Sequence, residues 1–183
     1  MILKKYVFLF VTCVLLFLGC DKEKEPDPFE ISKNRIGFLT ADMSVNQLDS
    51  IYMNDSVIRK NSATTYLGKP EIEIFEKGGK KLLILEPGED NKINTVQILD
   101  ARYHTVSGFS KNDSFKTLKE QHTISKISNT LNAAVIFIDS LNASVTIDKD
   151  QLPDRFRINT DEEIKASDIP DSAKINYFLL NWK

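Results

Sequence analysis

The sequence predicts an α+β fold, mostly β overall, made of two similar halves that each carry a short helix and antiparallel β-strands. Three observations lead there. The run Glu71–Lys77, Gly78-Gly79, Lys80–Glu86 reads as a β-hairpin, since two β-rich segments flank a pair of residues free to take positive φ. Apolar spacing at Val45, Leu48, Ile51 and Tyr52 fits one face of a short helix, with Ser44 as its N-cap. The order of elements around these features then starts again near Gly108.

Taken in order, Arg35–Leu39 is a short strand, the helix covers Met43–Tyr52, and Val57-Ile58 opens another strand before a polar loop from Asn61 to Pro70. The hairpin follows. After a turn at Pro87-Gly88-Glu89-Asp90, a strand returns over Ile93–Leu99, and Arg102–Val106 continues or follows it. In the second copy Gly108-Phe109 matches Gly37-Phe38, and Ser114–Leu118 matches Ser44–Leu48 with one residue fewer before it. Ala133–Phe137 and Ala143–Asp148 match the two hairpin strands. Lys174-Ile175-Asn176-Tyr177-Phe178-Leu179-Leu180 closes the second half as Lys92-Ile93-Asn94-Thr95-Val96-Gln97-Ile98 closes the first. An insertion from Asp150 to Asp171 precedes that last strand. Tyr177, Phe178, Leu179 and Leu180 make it apolar on both faces, the pattern of a central, buried strand.

Chemistry is sparse. The two histidines are His104 and His122, and Asp100, His104 and Ser107 cannot act as a triad on one extended strand, because residues four apart lie about 13 Å apart at roughly 3.3 Å each. Gly78-Gly79-Lys80-Lys81 leads into a strand, where a phosphate loop leads into a helix. Histidine or cysteine pairs of zinc sites are missing, and Glu86, Glu89, Asp90 and Asn91 read as a turn rather than a calcium loop. The sequence thus predicts no catalytic residue, no cofactor and no metal. A non-enzymatic module binding another envelope protein or a glycan is expected, with a hydrolase using a carboxylate pair as the alternative. With 24 basic against 26 acidic side chains and no basic cluster, nucleic acid is not an expected partner.

The N-terminus sets the expected compartment. Lys4 and Lys5 precede an apolar run, Tyr6 to Leu18, which is shorter than the roughly 18 to 20 residues of a membrane-spanning helix and ends in Phe17-Leu18-Gly19-Cys20. This resembles the type II signal peptide and lipobox of bacterial lipoproteins, which implies diacylglycerol and further acyl chains such as palmitate on Cys20. Two or three chains make such attachment effectively permanent. The expected organisation is a signal peptide over 1–19, lipidated Cys20 with a charged linker over 20–33, and one globular domain over 34–183, with halves 34–106 and 107–183. The expected location is the cell envelope, lipid-anchored to a membrane. Losing Lys4 and Lys5 leaves 24 − 2 = 22 basic against 26 acidic groups, a net charge of −4. Cys13 and Cys20 are the two cysteines, so no disulfide is expected in the domain.

The doubled order of helix and hairpin is similar to the tandem repeat of β-lactamase inhibitor proteins and to the single copy in the small lipoprotein of the outer-membrane assembly machine. In those families a Gly-x-[Ser/Thr]-x-x-x-[Leu/Val] segment opens the helix, and here Asp42 and Asn112 or Asp113 stand near the glycine position. That resemblance implies a binding surface made by the sheets. Finally, Asp-Ser occurs five times where about one is expected from 15 aspartates and 14 serines in 183 residues. Four cases precede Ile51, Val57, Leu141 and Ala173 and resemble the Asp-[Ser/Thr]-aliphatic site of bacterial O-glycosylation, with Ser56, Ser140 and Ser172 as candidate acceptors. The same dipeptide also suits turns and helix caps.

Overall fold

Two antiparallel four-strand meanders join edge to edge into one eight-stranded sheet, in a computed structural model that describes residues 26–65 and 68–182. The first meander is β4 (Ser56–Lys60), β5 (Glu71–Phe75), β6 (Lys81–Pro87) and β7 (Ile93–Ile98). The second is β9 (Lys126–Asn129), β10 (Ala133–Ile138), β11 (Ala143–Asp148) and β12 (Tyr177–Asn181). Their order across the sheet is β4-β5-β6-β7-β12-β11-β10-β9, so the closing strand of each half meets the other at the centre. A smaller sheet, β3 (Leu39–Thr40), β2 (Arg35–Ile36), β1 (Glu30–Ser32) and β8 (His104–Thr105), and the short helices α1 (Leu48–Ile51), α2 (Phe115–Gln121) and α3 (Asp154–Ile158) complete an α+β, mainly β fold. The signal peptide and Cys20 lie outside the described residues.

The internal repeat is written in hydrogen bonds. Val45 N donates to Asn91 O at 2.9 Å and Phe115 N to Ala173 O at 2.8 Å, while Ser44 bridges Lys92 and Ser114 bridges Lys174. Each bond thus ties a helix start to the entry of its half's closing strand. Ile74 faces Leu83 and Ile72 faces Leu85 in the first hairpin, just as Ile136 faces Val145 and Ala134 faces Ile147 in the second. Across the join, Gln97 faces Leu179, and these two stand the same number of positions apart as Lys92 and Lys174. An antiparallel pair has a local two-fold axis between facing residues. Because the facing residues here are also the equivalent ones, that axis relates the two halves.

Alternation along these strands puts Ile72, Ile74, Leu83, Leu85, Val96, Ile98, Ile136, Val145, Phe178 and Leu180 on one face, all buried. Leu48 and Tyr52 from the first helical segment, Leu118 from α2, Phe156 from α3 and Ile31, Ile36 and Leu39 from the small sheet belong to the same cluster. One core therefore serves both halves, and their stabilities are coupled through it.

Several expectations needed correction. The linker expected through residue 33 gives way earlier to structure: Glu30–Ser32 is a strand, Ile31 is fully buried, and Phe29 stacks edge-on against Tyr103 at 5.1 Å. The hairpin at Gly78-Gly79 forms with both glycines at positive φ, but Glu76 N bonds Lys80 O, so the loop holds three residues, not two. A register shift between Ile74 and Phe75 absorbs the extra residue. The match of Phe109 to Phe38 also shifts, since Met43 N to Thr40 O recurs as Asp113 N to Ser110 O, which aligns Phe109 with Leu39. Burial agrees: Leu39 and Phe109 are fully buried, whereas Phe38 is 50% exposed. The second half also has an edge strand, β9, whose Lys-Ile-Ser-Asn carried too little apolar signal to announce it.

The insertion before β12 folds beside β9. Lys149, almost fully buried, donates to Asn129 Oδ1 and to the Phe156 carbonyl, and Asn129 Nδ2 donates to the carbonyls of Asn159 and Glu162 at 3.0 and 2.8 Å. Burial pushes the Lys149 pKa down, and the oxygen ligands satisfy its protons in place of a carboxylate.

Candidate functional site

The same alternation that fills the core turns the other set of side chains to the opposite, open face of the eight-stranded sheet. At its centre lies a pocket of about 480 Å³. Ile84, Thr95, Gln97, Tyr177 and Leu179 come from the three central strands β6, β7 and β12. Lys69, Glu71 and Glu86 complete the wall on the side of the first half. The two-fold axis between Gln97 and Leu179 passes through this pocket, so it belongs to the join rather than to one half.

Ile84 and Leu179 are half-buried and apolar, and Tyr177 is 46% exposed. Lys69 Nζ meets Glu86 Oε1 at 2.8 Å, and that carboxylate raises the lysine pKa. The Glu71 carboxylate, the Thr95 hydroxyl, the Gln97 amide and the Tyr177 phenol have no hydrogen-bond partner within the described residues. Next to this pocket on the same face, Glu73 is only 4% exposed, with Lys81 at 2.5 Å and Lys60 at 2.9 Å. Burial pushes its pKa up, but the two ammonium groups outweigh that and hold it below the ordinary value.

The open face of the second half is built differently. Ser144 Oγ accepts from Asn181 Nδ2 at 3.0 Å, Thr146 Oγ1 from the Tyr177 amide at 3.1 Å, and Asp148 Oδ1 from Asn176 Nδ2 at 2.7 Å. Ser144, Thr146 and Asp148 are thus spent internally, whereas Glu71, Thr95 and Gln97 of the first half stand at the pocket unpaired.

Residues singled out in the sequence fall as follows. The hydroxyls of Ser56, Ser140 and Ser172 are on exposed residues, as attachment of a sugar requires, and Ser50 lies within α1. Asp100, His104 and Ser107 do not come together. Asp100 is buried against Arg102 at 2.7 Å and Lys80 at 2.9 Å, and those cations overcome the cost of its burial to hold its pKa far below the usual carboxylate range. His104 Nδ1 instead contacts the Arg102 carbonyl at 2.8 Å. Ser107 meets the other histidine, a pairing that no local signal announced because its partners lie in separate loops. His122 Nε2 is 3.2 Å from both Ser107 Oγ and Thr105 Oγ1. The Phe109 amide also donates to Thr105 Oγ1, and the Phe109 ring lies edge-on to His122, so this cluster fastens the end of α2 to the turn after β8. Tyr177 and Leu179, expected in the core, are the open side of a strand that is central as expected. Among the described residues no group of three or more His, Cys, Asp or Glu is placed to hold a metal ion.

No protein-family model and no curated protein matches the chain. Among solved structures it is similar to the crystal structure of the uncharacterized protein YfeY from Escherichia coli, with a TM-score of 0.54 and 14% sequence identity. That match covers 83% of this chain and 99% of the other, and it concerns the fold alone.

Proposed function

We propose that this protein is a lipid-anchored module of the cell envelope that binds a protein or glycan through the open face of its eight-stranded sheet. The observation that carries the reading is the central pocket, where an apolar floor and four unpaired polar side chains face outward. Sites for small ligands combine an apolar lining with a few polar groups that converge on it, and this pocket has both. The anchor rests on Lys4, Lys5, the apolar run and Gly19-Cys20.

A hydrolase is the second reading, since Glu71 and Glu86 share the pocket. Both are partly exposed and Glu86 is ion-paired, which is the opposite of the apolar enclosure that makes a carboxyl a general acid. The binding reading is therefore favoured.

Two variants test it in the native envelope. Cys20→Ser should accumulate as precursor or leave the membrane fraction, and unchanged fractionation and migration would refute the anchor. Leu179→Arg places a charge on the pocket floor without entering the core. It should abolish capture of whatever component the parent retains from envelope extracts, and equal capture by parent and variant would refute the face.

A further inference from the structure

The pocket also indicates what kind of ligand it takes. Strands β6, β7 and β12 are interior to the sheet, so their backbone amides and carbonyls are already paired with neighbours on both sides. An extended peptide that docks on a sheet draws its affinity from main-chain bonds at an unpaired edge. None is offered here. Recognition falls to side chains alone, and those available are a carboxylate, a hydroxyl, an amide and a phenol around an apolar floor. Three of the four both donate and accept hydrogen bonds, which suits ligand hydroxyls that do the same. Lys69 is paired with Glu86, so the charge left on the lining is that of Glu71, which disfavours an anionic ligand and whose two oxygens accept from ligand hydroxyls.

We propose that the pocket at the join of the two halves, defined by Glu71, Gln97, Tyr177 and Leu179, is a saccharide site that takes a neutral, hydroxyl-rich sugar. The apolar C–H face of the ring lies against Tyr177 and the Ile84–Leu179 floor, and its hydroxyls bond Glu71, Thr95 and Gln97. An aromatic body with a polar tip provides both kinds of contact at once. A pocket of about 480 Å³ is in the usual range for a small ligand, here a short stretch of oligosaccharide. This assignment rests on the reading of the open sheet face as the binding surface.

The test uses the full chain in detergent, titrated with neutral oligosaccharides of two to six sugars and, in parallel, with peptides of matching length. Tyr177→Ala and Gln97→Ala should each weaken oligosaccharide binding at least tenfold. Ser128→Ala, on the same face at the far edge, should leave it unchanged. Both pocket residues lie outside the core, so melting curves close to the parent's will show that the variants fold. Oligosaccharide binding that survives both pocket substitutions would overturn the assignment. So would a peptide that binds and is lost with Tyr177→Ala while no oligosaccharide binds, although the open face would then stand as a binding surface. If neither class binds and Leu179→Arg retains the envelope component as well as the parent does, both readings fall.

Discussion

The two halves of this molecule share a backbone plan and differ in what their outer faces do with polar groups. In the second half Ser144, Thr146 and Asp148 are bonded to Asn181, the Tyr177 amide and Asn176. In the first, Glu71, Thr95 and Gln97 are left open beside Tyr177. A repeat constrains the buried face of both copies, because one core needs both sets of apolar side chains, but it leaves the outer face free to diverge. One copy closes its surface and the other presents it.

Register adds a second difference. Leu85 faces Val96 in the first half, whereas Val145, not Ile147, faces Phe178 in the second. The closing strand has slid by two residues, an even step that keeps every side chain on its own face. The first half makes this connection by a tight turn in which Gly88 N bonds Lys92 O, and the second leaves through the insertion before returning. The tight turn fixes one register, and the long excursion frees the other.

Core substitutions test whether the halves share a core, and they have the largest expected effects. Phe178→Ala should cost about 3 to 5 kcal/mol, and the equivalent pair Leu48→Ala and Leu118→Ala about 2 to 5 kcal/mol each, since all three are fully buried. Each should lower a single cooperative denaturant transition. Two separate transitions, one for each half, would break the shared-core account.

Glycine substitutions sharpen the comparison at the two turns that open the halves. Gly37 has φ +54°, and an added Cβ would lie 2.3 Å from the Pro28 carbonyl oxygen; Gly108 has φ +92° with open space around it. Gly108→Ala should cost about 1 kcal/mol from backbone strain alone, and Gly37→Ala clearly more because the first turn must also move. Equal melting shifts would mean that Pro28 does not pack where it is seen.

Acid titration gives the smallest effect and separates the halves by one residue. Tyr52 and His122 occupy equivalent positions, each donating its amide to the helical leucine at 2.9 Å, Leu48 and Leu118 respectively. Burial raises the Tyr52 pKa, so it stays neutral, and burial lowers that of His122 from 6.5. The unfolded chain therefore takes up the proton first on acidification. His122 contributes its full stability above about pH 6.5 and loses it as pH falls from there to the folded pKa. His122→Gln should flatten the melting profile just below pH 6.5. A variant that keeps the parent's slope would remove His122 as its source.

The sequence made the repeat legible where local chemistry specifies structure. Alternation with paired glycines marked β5 and β6, and Lys92-Ile93 and Lys174-Ile175 marked the closing strands. It was mute where position depends on partners distant in the chain. Ile31 reads as part of a charged linker until β8 arrives to pair with β1. Ser107 and His122 meet only through the packing of α2. Tyr177 and Leu179 looked like core because apolar alternation on both sides of a strand does not say which side the rest of the chain will cover. The pocket, drawn from residue 69 to residue 179, exists only once the order β6-β7-β12 is known.

The central claim is that the face at the join is the working surface and the outer face of the second half is not. Site-specific photo-crosslinking in the native envelope tests it most directly, with an aromatic crosslinking residue, which keeps a ring at the pocket, in place of Tyr177 or of Val135 on the open face of β10. The account predicts a ligand adduct from position 177 and none from position 135. Equal adducts from both positions, or an adduct from position 135 alone, would contradict it.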